Sequence, residues 1–290
     1  MPLKRLVPVT LYDQATTAHP YRFNGGGRAK AGEVRIDRRW RLVLDATCGP
    51  LTHRAGKDFG RLMRVTFGQP IKTGPPGSTP RIGVRVRDGA PDKPEGYRLQ
   101  VTADQVIVNA CDDEGGMRAL FHLGRQMLDR RGPFLRQGRS TREPQWSLRI
   151  TRPLLPGLWD TPGDFRRLPD SYLLNMARYG YNAVYLFADW FDYMRPDVAG
   201  PLARPGWRKR LADLVRAVEH LGGFGIRLLF HLNTPALPAS HPQFKIAPTT
   251  RGAQTWVQGR HCLCGSSQQV LDLYENAARQ LFTDVPALAG

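Results

Sequence analysis

The sequence predicts a small α+β domain followed by an α/β segment with about three βα units, an incomplete (β/α)8 TIM barrel. Three observations predict it. Arg81–Arg87 alternates strictly, and the runs Tyr97–Val101 and Val106–Ala110 flank a turn at Thr102–Gln105, which is hairpin chemistry. From Trp146 onward short apolar runs alternate with helical stripes, the pattern of a parallel sheet with helical crossovers. Between the two, Arg131–Gln145 carries two prolines and two glycines and no periodicity, which reads as a linker.

In chain order, residues 1–33 include Gly25-Gly26-Gly27 and little periodicity, an irregular lead-in. Arg28-Ala29-Lys30 does not continue the triplet into a phosphate loop. The small domain is expected over 34–130. Trp40–Ala46 reads as a strand, and Lys57–Phe67 is a helix with its stripe on Phe59, Leu62, Met63 and Thr66. A second helix follows Asp112 or Asp113, whose side chains suit an N-cap, with Met117, Leu120, Phe121, Gly124 and Leu128 inward.

The segment 146–290 starts with a short strand at Leu148–Thr151. Leu173, Met176, Ala177 and Gly180 then mark a helix, and Asn182–Ala188 is a buried strand ending at Asp189 and Trp190. Leu211, Leu214, Val215, Val218 and Leu221 give the next helix and Gly225–Leu232 the third strand. Ser266 or Ser267 caps a last helix with Val270, Tyr274, Ala277, Ala278 and Leu281 inward. A complete βα barrel takes about 250 residues. Residues 146–290 fall well short, so the expectation is the front part of a longer protein.

Composition bounds the function. The net charge is +17, but it comes from 35 arginines and seven lysines spread along the chain, the densest cluster being Arg208-Lys209-Arg210. Dispersed arginine on solvated faces argues against a nucleic-acid arm. No apolar run reaches membrane-span or signal-peptide length, so a cytoplasmic protein is expected. Cys48, Cys111, Cys262 and Cys264 form no disulfide framework. His261, Cys262 and Cys264 lack a second ligand pair at metal spacing, so neither a metal nor a cofactor is expected.

Side chains at the carboxyl ends of parallel strands are where α/β folds place binding and catalysis. Asp189 is poised there to accept hydrogen bonds from ligand hydroxyls, with capping of the next loop as the alternative. Trp190 can stack on a ligand or pack, and His231 and Asn233 lie at the end of the third strand. Arg152 ends the first strand, where it binds a ligand hydroxyl or carboxylate or makes a structural ion pair; His241, beside Pro242, reads as a surface residue.

Two stretches carry a family resemblance. Glu95-Gly96-Tyr97-Arg98-Leu99, with Asp112–Met117 leading into Ala119–Leu128, resembles the small domain that precedes the barrel in bacterial β-N-acetylhexosaminidases. Ala177-Arg178-Tyr179-Gly180-Tyr181-Asn182, running into a strand that ends at Asp189, is similar to the first helix and second strand of the glycoside hydrolase family 20 barrel. The resemblance covers roughly 35–290, and the same small domain occurs in other glycosidases, including α-glucuronidases. It implies cleavage of N-acetylhexosamines with the substrate's acetamido group as nucleophile, assisted by an Asp-Glu pair after the fourth strand. That pair cannot be placed in this sequence, so the chain alone is expected to be inactive. After the third strand the family shows Glu-Ile-Asp-x-Pro-Gly-His, where this chain reads His231-Leu232-Asn233-Thr234-Pro235-Ala236-Leu237. A family arginine that holds sugar hydroxyls corresponds to Arg149 or Arg152. A non-catalytic carbohydrate-binding or scaffold protein is the alternative.

Overall fold

A computed structural model describes residues 17–23, 27–87, 90–151, 168–233, 236–255 and 258–288. The chain divides into two compact units. One holds residues up to Arg149 with Pro169–Asn182 and Gly223–Gly225, and the other holds the rest.

In the first unit β1 (Glu33–Arg35) and β2 (Arg41–Leu44) precede α1 (Pro50–Phe67), followed by β3 (Lys72–Thr73), β4 (Arg81–Val86), β5 (Tyr97–Val101), β6 (Gln105–Ala110) and α2 (Asp113–Asp129). Then come β7 (Phe134–Arg136), β8 (Gly138–Arg142) and α3 (Asp170–Arg178). Six strands form one sheet in the order β3-β2-β4-β6-β5-β8, parallel across the first four and antiparallel across the last two. Period-two alternation sends Ile82, Val84, Val106, Val108, Leu99 and Val101 to one face, where α1 and α2 cover them. Phe59, Leu62, Met63, Met117, Leu120 and Leu123 are each at most 5% exposed there, and each such side chain contributes roughly 1.5–3 kcal/mol by burial.

The two helices are tied at their starts. Asp112 caps α2, accepting the Gly115 amide at 2.7 Å. Helix α1 has no side-chain cap or first-turn acid of its own, and Asp113 of α2 accepts the amides of Gly49, Leu51 and Thr52 at 2.8–3.0 Å. The helices approach closely because α2 has glycines at the contact: a Cβ on Gly124 would sit 2.8 Å from Leu62 Cδ2.

The stretch expected as a linker, 131–145, differs. Strand β7 pairs with β1, and β8 extends the sheet beside β5. All five residues of β8 are exposed, so the strand has no apolar alternation, and its backbone partner on β5 is what fixes it. The lead-in is likewise anchored: His19 is buried with Asp58, and the Phe23 amide donates to Thr66. Helix α3, expected to belong with the later strands, clusters with this unit. It carries the buried Tyr172, Leu173, Met176 and Ala177, and Gly180 follows at φ +90°.

The second unit contains β9 (Ile150–Thr151), β10 (Ala183–Asp189), α4 (Pro196–Ala199), α5 (Trp207–Gly222) and β11 (Arg227–Asn233). It continues with β12 (Leu237–Pro238), α6 (Pro242–Ile246), β13 (Arg251–Gln254), β14 (Arg260–Leu263) and α7 (Gln268–Asp284). Strands β11-β10-β9 form a parallel sheet, with β10 and β11 paired over their full seven residues. Leu214, Val218 and Leu221 of α5 and Val270, Ala277 and Leu281 of α7 are buried, as their spacing predicts. An antiparallel sheet in the order β12-β14-β13 stands between β11 and α7. Its strands, RGAQ and RHCL among them, lack apolar alternation and were not expected from the sequence.

Candidate functional site

The carboxyl end of β10 collects charged side chains within the second unit. Parallel register sets Asp189 opposite Asn233, the last residues of two adjacent strands, and Phe187 opposite His231. The Asp189 carboxylate does two things. Its Oδ1 accepts the Phe191 amide at 3.0 Å, capping the turn Trp190–Asp192, and its Oδ2 accepts from Arg204 Nη2 at 2.6 Å. Arg204 also donates to Asp192 Oδ1 at 3.1 Å. Arg210 fixes the same loop, its Nε donating to the Asp192 carbonyl at 2.7 Å and its Nη2 to the Arg204 carbonyl at 3.2 Å.

Burial raises the Asp189 pKa above the ordinary carboxylate value, with Arg204 and the Phe191 amide pulling the other way. The group is therefore a carboxylate held by one guanidinium in a partly dry setting, able to accept from a hydroxyl or to hold a proton as surroundings change. His241 Nδ1 accepts the Gln243 amide at 3.2 Å at the start of α6, and burial followed by the Arg204 charge lowers its pKa.

Of the residues singled out from sequence, Asp189 and Asn233 are brought together by backbone register. The side chains of His231 and Asn233, and all of Arg152, lie outside the described residues. Trp190 is 5% exposed, and its ring packs edge-on to Tyr274 with centroids 6.4 Å apart. Sequence reasoning missed Asp192, Arg204 and Arg210. Nothing distinguishes two of 35 arginines until the loop folds back over the strand end.

Arg149, the other arginine weighed for sugar binding, serves the first unit. Glu95 is 5% exposed at φ +62° and accepts from Arg149, from Arg118 Nε at 2.7 Å and from Asn182 Nδ2 at 2.8 Å. Arg149 and Arg118 donate onward to the carbonyls of Gly180 and Ala177, so this cluster holds α3 in the first unit. Among the described residues no group of three His, Cys, Asp or Glu is placed to hold a metal, and no helix is long and apolar enough to cross a membrane. Cys48 is buried with its thiol donating to the Val84 carbonyl, and burial pushes its pKa up to about 11.

No protein-family model matches the sequence, and no curated protein matches it. Solved structures do match. The family 20 β-N-acetylhexosaminidase of Streptomyces coelicolor A3(2) aligns at TM-score 0.56 and 18% identity, over 91% of this chain and 57% of that one. A Streptomyces plicatus β-hexosaminidase variant in complex with its product GlcNAc aligns at TM-score 0.56 and 20% identity, over 97% and 59%. A family 138 glycoside hydrolase that targets pectin rhamnogalacturonan II aligns at TM-score 0.57 and 13% identity, over 86% and 29%. The chain thus spans less than two thirds of the length of each. The resemblance to family 20 read from the sequence holds at the level of the fold: this chain folds as part of a family 20 β-N-acetylhexosaminidase does.

Proposed function

We propose that this chain is the N-terminal portion of a glycoside hydrolase of β-N-acetylhexosaminidase type that acts on carbohydrate. In this reading β9, β10 and β11, with the helices between and after them, are the first units of a TIM barrel. The catalytic acid pair lies outside residues 1–290, so this polypeptide alone does not hydrolyse glycosides. Coverage of 57% and 59% of the two hexosaminidases supports that assignment.

The observation that carries the reading is the pairing of Asp189 with Asn233 at the carboxyl ends of adjacent parallel strands. Arg152, Asp189, His231 and Asn233 are the proposed substrate-binding set, with the buried Trp190 supporting them rather than stacking on the sugar. Asp189 accepts from a sugar hydroxyl while Arg204 holds it, and Trp190 anchors the loop through Tyr274. His231, Asn233 and Leu237 stand where the family has two acids and a histidine, and these departures favour a sugar other than N-acetylglucosamine as the preferred ligand.

The test is calorimetric titration of the chain and of Asp189→Asn with chitooligosaccharides and with neutral xylo- and gluco-oligosaccharides, beside an aryl-glycoside assay. Saccharide binding lost in Asp189→Asn, with no turnover, is the expected result. Turnover by this polypeptide overturns the placement of the catalytic pair outside it, and binding untouched by Asp189→Asn overturns the site.

A further inference from the structure

Among the described residues, the face of the six-stranded sheet opposite α1 and α2 carries a cationic surface. Strand alternation puts the residues between the core positions on it, and register arranges them in rows. One row runs Lys72, Arg41, Arg81 and Gln105 across β3, β2, β4 and β6. Another runs Arg85, Asn109, Arg98 and Thr141 across β4, β6, β5 and β8. Between them Gln100 stands opposite Arg139. Every strand residue of that face that bears a charge is a cation, and none is aromatic.

Such a row is costly. Neighbouring strands are about 4.8 Å apart, and like charges directly opposite destabilise a sheet. Lys72, Arg41 and Arg81 are such neighbours, with Lys72 exposed and the two arginines half-buried. Arg85 donates to Asn109 Oδ1 at 2.6 Å with the Asp45 carboxylate near its charge, and Arg41 Nη1 donates to the carbonyls of Arg38, Arg39 and Trp40, so Lys72, Arg81, Arg98 and Arg139 carry the rest of the cationic face.

We propose that this face binds an acidic polysaccharide whose carboxylates lie along the rows. The guanidinium fork matches a carboxylate in two parallel hydrogen bonds, and the amides of Gln100, Gln105 and Asn109 suit the hydroxyls between. A single-stranded nucleic acid needs aromatic platforms for its bases, and the described strand residues of this face offer none. The choice of a glycan among polyanions rests on the carbohydrate reading above; capture of carboxylates does not.

The experiment is titration of the whole chain with polygalacturonate at low ionic strength, beside fully methyl-esterified pectin and oligo(dT). Lys72→Gln/Arg81→Gln/Arg139→Gln is compared with Arg61→Gln/Arg64→Gln/Arg208→Gln, which removes the same charge from exposed helix positions. The polyuronate is expected to bind and the methyl ester not, with affinity falling about tenfold or more in the first triple variant and less than about twofold in the second. Equal losses in both variants reduce the effect to net charge and overturn the proposal. So does a wild-type chain that ignores polygalacturonate, or oligo(dT) bound more tightly through the same three residues. Polygalacturonate binding without chitooligosaccharide binding sinks only the strand-end reading, and the reverse sinks only this one.

Discussion

Arg204 Nη2 donates to Asp189 Oδ2 at 2.6 Å, so the carboxylate at the end of β10 is already committed to a loop fifteen residues further on. That link decides how the site responds to change.

Removing the guanidinium leaves only the Phe191 amide to oppose burial at Asp189, whose pKa already stands above the ordinary carboxylate value. Arg204→Gln is expected to raise the Asp189 midpoint further, read by carboxyl carbon chemical shifts across an acid titration. Because Arg204 is about half exposed, the stability cost is expected to stay under about 1 kcal/mol. A midpoint that stays or falls refutes the coupling.

Asp58 behaves in the opposite sense. Burial alone would raise its pKa, yet the hydrogen bond from His19 and the charge and hydrogen bond of Arg178 hold it below the ordinary 3.8. A depressed carboxylate contributes stability above its unfolded pKa and loses it as pH falls through the folded value. Asp58→Asn is expected to cost about 3–5 kcal/mol near neutral pH, because His19 and Arg178 lose their buried partner. In urea melts the gap from wild type should narrow as pH falls below 3.8 and through the lower folded value. A gap that is constant with pH means packing, not charge, is lost.

His122 sits between the Tyr97 hydroxyl at 2.6 Å and the Gln126 amide at 2.7 Å, and burial lowers its pKa to about 4. The folded imidazole stays neutral while the unfolded one takes a proton below about 6.5, so stability falls as pH drops from 6.5 towards 4. The loss is on the order of 2 kcal/mol after allowance for partial exposure. His122→Gln should flatten that limb of the stability profile, and a limb of unchanged slope assigns it to other groups.

Glu95 accepts from Arg118 and Arg149, and Asn182 shares it. Glu95→Gln leaves two guanidiniums without their carboxylate, at a cost of about 3–5 kcal/mol. Amide exchange along α3 should quicken together with the loss, since the same arginines hold the Ala177 and Gly180 carbonyls. Exchange confined to the segment just before β5 would instead make the positive φ of Glu95 the only thing at stake.

Local patterning in the sequence determined the α1 and α2 stripes, the β5–β6 hairpin, the Asp112 cap, and α3, β10, α5, β11 and α7. Each rests on spacing or capping that neighbours in the chain decide. Three things were left to tertiary structure. Strand β8, polar throughout, exists because β5 offers it an unpaired edge. Helix α3 joins the first unit because Asp58 and the Glu95 cluster draw its polar groups there, although its apolar stripe fits any core. And Arg204 reaches Asp189 only because the loop after β10 folds back, a meeting of groups far apart in sequence that no local periodicity encodes.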